Sequence, residues 1–193
     1  MKAHFSKSIA TFSMLLYLVL TLQGQSSSYN FHKLGLEQGL NDGIVRDIGQ
    51  DKFGYIWVAT IGGLNRYNGK TFTKYLHTTG DTLSPYRSQP RSIHSDLSGR
   101  LWIGFETGLM QYNFANKNFI RNKHFNNLFI HKIISISENV LFIGTNKGLF
   151  KYDVLNDTAI NYATSPLKKH LPLKDNKVFD IKYKQGILYL GTQ

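Results

Sequence analysis

Seven histidines, His4, His32, His77, His94, His124, His131 and His170, have the widest chemical repertoire in this chain, and no cysteine stands with them. Imidazole can ligate a metal or move a proton near neutral pH. A zinc site of the helical type needs two of them four residues apart with a third ligand in reach. No pair here has that spacing, so each reads as surface or strand filler. The lack of cysteine excludes a disulfide framework, a thiolate metal site, a cysteine nucleophile and lipid attachment through a thiol. Asp51 and Asp96 each stand six positions before a tryptophan, in front of Gly54 and Gly99, where a turn-forming aspartate is expected. As lone carboxylates they are poor acid–base candidates. Trp57 and Trp102 could serve as sugar-stacking platforms, but their regular recurrence assigns them to the core. Catalytic, cofactor and metal residues are therefore expected to be absent, and the ligand-binding residues are undefined.

The elements that would hold these residues announce themselves by repetition. The aromatic anchors Trp57, Trp102, Phe142 and Tyr189 are separated by 45, 40 and 47 residues. In the first three copies a Gly-Leu pair begins six positions after the anchor, at Gly63, Gly108 and Gly148, and a tyrosine follows at ten, Tyr67, Tyr112 and Tyr152. A small residue falls two positions after each anchor: Ala59, Gly104, Gly144 and Gly191. Fixed offsets with insertions only between copies define a repeat of about 45 residues. Within the first copy, VRDIGQD, YIWVAT, LNRYN and TFTKYLH read as strands. The Asn68-Gly69 pair between the last two is a hairpin signal, since both positions tolerate positive φ. Four short antiparallel strands per repeat make the blade of a β-propeller. A blade buries both faces, so its central strand is a continuous apolar run. The small residue two positions on lets neighbouring strands crowd together. The fold expected is all-β, an incomplete propeller of about three full four-stranded blades and the start of a fourth. The third copy replaces the aspartate turn with the shorter Ser137-Glu138-Asn139.

Of the 193 residues, 18% are charged and 13% aromatic, and the formal net charge is +11. That composition is globular rather than disordered. A basic chain can meet nucleic acid, membrane or acidic glycan, but the N-terminus narrows the choice. Lys2 and Lys7 precede a mostly apolar run, Ile9 to Leu22, broken only by Thr11, Ser13 and Thr21, and a polar stretch, 23–28, follows. This order predicts a signal peptide over 1–25, cleaved near Gly24, and the apolar run is short for a membrane span of roughly 20 residues. An exported, periplasmic chain does not meet the chromosome, so nucleic acid is excluded as a partner. Removing 1–25 takes two lysines and no acid, leaving 11 − 2 = +9. Residues 26–39 form a lead-in whose Tyr29–Leu34 stretch could close the ring. The propeller then spans 40–193, with repeats at about 40–85, 86–127, 128–175 and a truncated 176–193.

The stretch GLNDGIVRDIGQDKFGYIWVATIGGLNRYNGKTFTKY resembles the two-component regulator propeller repeat, most closely over Asp47 to Tyr75. Departures are Ala59 where glycine is usual, Phe105 for threonine and Phe142 for tryptophan. The resemblance implies two tandem seven-bladed propellers, a β-sandwich, one transmembrane helix and a cytoplasmic histidine kinase in the whole protein. It also implies a homodimer and, as ligand, an oligosaccharide released from a polysaccharide. None of the kinase chemistry carries over, because the chain has no phosphoacceptor histidine box and no ATP-binding glycine motif. The chain stops within a blade at GTQ and is expected to be an N-terminal fragment. With an unpaired edge at each end, it should be poorly soluble or partly unfolded alone. The competing expectation is the start of a stand-alone secreted propeller, a glycan-binding protein or polysaccharide lyase. If the ligand is an acidic glycan, Arg87, Arg91, Lys168 and Lys169 would contribute charge.

Overall fold

Alternating β-branched and aromatic residues between glycine-bearing turns give short strands throughout the computed structural model, which describes residues 30–164 and 177–192. The expected signal peptide, His4, Lys168, Lys169 and His170 lie outside the described residues. The chain divides into Met1–Lys33 and Leu34–Gln193. Of the first unit only residues 30–33 are described, and they carry no regular element. All the strands described belong to the second unit.

The first sheet comprises β1 (Val45–Gln50), β2 (Ile56–Thr60), β3 (Gly63–Tyr67) and β4 (Phe72–Tyr75). The second comprises β5 (Pro90–Ser95), β6 (Leu101–Phe105), β7 (Gly108–Asn113) and β8 (Asn118–Arg121), and the third β9 (Ile130–Ser137), β10 (Val140–Thr145), β11 (Gly148–Asp153) and β12 (Thr158–Asn161). A hairpin, β13 (Asp180–Lys184) and β14 (Ile187–Gly191), follows. Strands within each sheet pair antiparallel in sequence order. The first strands of successive sheets, β1, β5, β9 and β13, stand beside one another. Sheets that converge on their first strands fan outward toward their fourth, which is the radial arrangement of propeller blades. The chain is an incomplete β-propeller of three four-stranded blades and the first hairpin of a fourth.

Packing between blades explains the repeat. One core lies between the first and second blades and gathers Trp57, Ala59, Leu64, Ile93, Leu101, Ile103, Phe105, Met110, Tyr112 and Phe119. Trp57 is 0% exposed, and its ring meets the edge of Tyr112 in the next blade at 4.7 Å. Trp102 repeats the contact with Tyr152 at 6.0 Å. Each tryptophan is thus the wedge for the tyrosine of the blade that follows. At about 25 cal/mol per Å² over roughly 200 Å², such a ring contributes at most about 5 kcal/mol. Because β6 packs Leu101, Ile103 and Phe105 one way and Trp102 and Gly104 the other, all five of its residues are buried.

Three anchors depart from expectation. Tyr189, expected as the fourth wedge, is 54% exposed, because no following sheet covers its face among the described residues. Tyr67 is only half-buried and packs on Phe72 within its own blade, since no preceding blade brings it a tryptophan among the described residues. Phe142 is buried but stacks on Tyr162, in the segment that follows its own blade. The Asn68-Gly69 turn also differs. Only Gly69 has positive φ (90°), and Asn68 Oδ1 accepts from the backbone N–H groups of Lys70 and Thr71, closing a four-residue loop. The side chain of Asn68 supplies the acceptor that a second positive-φ residue would have made unnecessary.

Candidate functional site

The residues that sequence reading singled out for chemistry are mostly consumed by the fold. Asp51 Oδ1 accepts from the N–H groups of Phe53 and Tyr55, and its Oδ2 accepts from Trp57 Nε1 at 2.7 Å. Asp96 does the same with Ser98, Arg100 and Trp102 Nε1, the last at 2.8 Å, and also receives Arg100 Nε. Both carboxylates are buried. They cap the β1–β2 type turns and fix the indoles, so they have no free oxygen with which to move a proton. His77 bonds the Pro85 carbonyl, His94 lies 2.9 Å from Ser135 Oγ, and His124 meets Asp157. Burial, ahead of the opposing influence of Asp96, holds the His94 imidazole below its usual range. Among the described residues no three His, Asp or Glu side chains converge on a metal position.

The first strands carry a feature that the repeat alignment missed. In β1, Val45 pairs with Thr60 and Asp47 with Ala59, leaving Arg46 bulged. In β5, Pro90 pairs with Phe105 and Ser92 with Gly104, leaving Arg91 bulged. In β9, Ile130 pairs with Thr145 and Lys132 with Gly144, leaving His131 bulged. In the fourth blade Asp180 pairs with Gly191, so Phe179 takes the corresponding place. A bulge leaves one residue out of the ladder and turns its side chain to a new direction. Three of these positions, Arg91, His131 and Phe179, are linked through one connector residue, Phe129. The Arg91 guanidinium lies 5.0 Å from the Phe129 ring, Phe129 stacks on His131 at 4.4 Å, and His131 meets Phe179 at 4.7 Å. Arg91 is held from its other side by Glu106, in the turn after β6. Burial, Arg91 and Lys177 together press the His131 pKa down. Phe179 remains 43% exposed. A sequence signal for this stripe existed: Arg46, Arg91 and His131 each precede their anchor by eleven residues.

A second concavity of about 300 Å³ lies at the seam of the second and third blades, lined by Gln111, Arg121, Lys123, Tyr152 and Asp157 among others. Its polar groups are largely spoken for. Lys123 pairs with Asp157 at 2.7 Å, Tyr152 donates to Asp157 Oδ1, and Arg121 stacks on Tyr86 at 4.9 Å. Lys123 ahead of Tyr152 draws the Asp157 pKa down to about 2. Of the four residues expected to attract an acidic glycan, Arg87 is exposed beside a smaller cavity of about 70 Å³, and Arg91 belongs to the bulged stripe.

Comparison with known proteins places this architecture. The two component regulator propeller family matches residues 39–62, a stretch that holds the Asp51 turn and Trp57 of the first blade. Over 80 residues, 40% of this chain and 6% of its relative, the sequence is 38% identical to histidine kinase P4 of Formosa agariphila. Among solved structures it is similar to the extracellular domain of BT3049 from B. thetaiotaomicron, described as a hybrid two component system. The TM-score is 0.71 at 24% identity, covering 85% of this chain and 24% of that one. The corresponding domain of BT4673 from the same organism gives a TM-score of 0.71 at 22% identity, covering 87% and 23%. At these identities the structural likeness establishes the fold. The chain carries a two-component regulator propeller repeat and spans a small part of the relatives it matches. No helix among the described residues is long and apolar enough to cross a membrane.

Proposed function

We propose that this chain is part of the periplasmic ligand-sensing propeller of a hybrid two-component sensor histidine kinase. In this reading the ligand is an oligosaccharide, and the signal passes to a kinase encoded beyond the residues given, in a protein that acts as a homodimer. The observation that carries it is the family match over 39–62, which falls on the lead-in and first two strands of a complete blade. The local chemistry supports binding over catalysis. Asp51 and Asp96, the recurrent acids, are spent on indole and turn N–H groups, so the repeat supplies no shared acid or base. Export through the segment 1–25 puts the propeller on the ligand side of the membrane.

The experiment is to read the gene onward from codon 193. Expected is an open frame encoding further blades, one transmembrane helix and a histidine kinase. A stop after ring closure, with no membrane segment, would replace the receptor by a secreted propeller. Sequencing the mature N-terminus of the exported protein tests the leader separately, and the expected new terminus lies next to Gly24.

A further inference from the structure

We infer that the bulged stripe on the first strands is the contact surface for an anionic saccharide, with Arg91 and His131 meeting its acidic group and Phe129 and Phe179 its apolar ring face. The inference rests on the sensing reading only for the ligand being a saccharide; the anionic preference and the residues come from the geometry.

Three independent blades interrupt their first strand at the same register, opposite Ala59, Gly104 and Gly144. Each interruption removes a residue from the ladder and redirects its side chain. What the bulges share is a side chain with an N–H donor: Arg46, Arg91 and His131. Arginine offers a planar fork that matches a carboxylate or sulfate with two parallel bonds. Here the fork is prealigned. Phe129 supports one face of the guanidinium, and Glu106 engages its edge while both side chains remain about a quarter exposed (25% and 28%). A ligand carboxylate can therefore take the place that the Glu106 carboxylate occupies. Phe179 completes the surface with a half-open ring, and binding sites that combine flat apolar faces with a few fixed polar groups suit ring-shaped ligands. The net charge of 11 − 2 = +9 without residues 1–25 adds a long-range attraction for anions.

The competition between Glu106 and ligand gives the test a readout that mere damage would not produce. Binding of an oligogalacturonate and of a neutral oligosaccharide of the same length is measured by calorimetry on the full exported chain, at two salt concentrations. Expected is preference for the oligogalacturonate, weakening with salt. Arg91→Gln should reduce its affinity about tenfold, the loss of one charge-assisted bidentate contact. Glu106→Gln should raise it several-fold, because the guanidinium is then free. Arg121→Gln, at the seam of the second and third blades, should leave it unchanged. Melting curves of each variant establish that it is folded, and the double variant Arg91→Gln/Glu106→Gln removes the pair without stranding either charge. Equal affinity for the two saccharides, a loss on Glu106→Gln, or no change on Arg91→Gln overturns the inference while the receptor reading, decided by the reading frame, stands. A wild-type chain that binds neither saccharide overturns it as well.

Discussion

Asp51 and Trp57 are joined by a hydrogen bond of 2.7 Å from the indole Nε1 to Oδ2, and Asp96 and Trp102 repeat it at 2.8 Å one blade later. The third blade has Phe142 at the anchor and no aspartate in its shortened turn. Donor and acceptor are present together or absent together. The reason is the cost of burial: an indole N–H or a carboxylate oxygen in the core without its partner loses its full desolvation free energy.

A double-mutant cycle on this pair should therefore be strongly non-additive. Trp57→Phe strands Asp51 Oδ2, and Asp51→Ala strands the indole N–H and frees the turn N–H groups of Phe53 and Tyr55. Each single change is expected to cost about 1–3 kcal/mol. The double variant should cost less than their sum by about 1 kcal/mol or more. Chemical denaturation of the four proteins measures this, and simple additivity would show that the bond is incidental.

Gly104 and Gly144 are both expected to resist enlargement, but for different reasons. A Cβ on Gly104 would stand 2.5 Å from Ile130 Cγ2 and 2.8 Å from its Cβ, a side chain that can be shortened. A Cβ on Gly144 would stand 2.7 Å from the Val178 carbonyl oxygen, which belongs to the backbone. Each glycine-to-alanine change should cost about 1–3 kcal/mol. Ile130→Ala should relieve part of the Gly104→Ala strain, although it opens its own cavity, whereas Val178→Ala should not relieve Gly144→Ala. Rescue in both cases, read from melting temperatures, would contradict the geometry.

Stability should fall on mild acidification, and His94 should be one cause. Burial lowers its pKa from 6.5, while Asp96 and Asp47 on one side and Lys132 on the other pull in opposite directions. The folded pKa is the lower one, so the unfolded chain takes up the proton first as pH drops. The stability associated with neutral His94 is complete above about pH 6.5 and is lost progressively below it. His131, likewise lowered, acts in the same direction. His94→Gln, which keeps an amide within reach of Ser135, should flatten the decline of melting temperature between about pH 7.5 and about pH 5. An unaltered slope would remove His94 from the account.

Much of the blade was legible in the residues, and some of it was misread. The offsets of Gly63, Gly108 and Gly148 from their anchors located each β2–β3 type turn, because a backbone turn tolerates few residue types. The sequence marks the two aspartates as turn formers, and they are also indole acceptors. Their bond to an indole six residues away crosses the hairpin, so no local pattern within the turn reveals it. Arg91 stands out in the sequence for its charge alone, whereas it lies in β5 at a bulge. Bulges are set by pairing with a second strand, and one strand read alone carries no sign of them.

The amino-acid order by itself determined the strand-forming period, the continuous apolar runs that bury both faces of the central strands, and the aromatic residues available to fill the space between blades. These are properties of each short segment, fixed by side-chain volume, polarity and backbone freedom. Only the tertiary structure decided which tyrosine each tryptophan would meet, which carboxylates would be used up, and that Arg91, Phe129, His131 and Phe179 would form one surface from three successive blades. The contacts between blades join residues 38 to 55 positions apart, and even the six-residue aspartate–tryptophan bond crosses a hairpin, so their distances are set by how strands pair and sheets stack and not by the local chemistry of either partner.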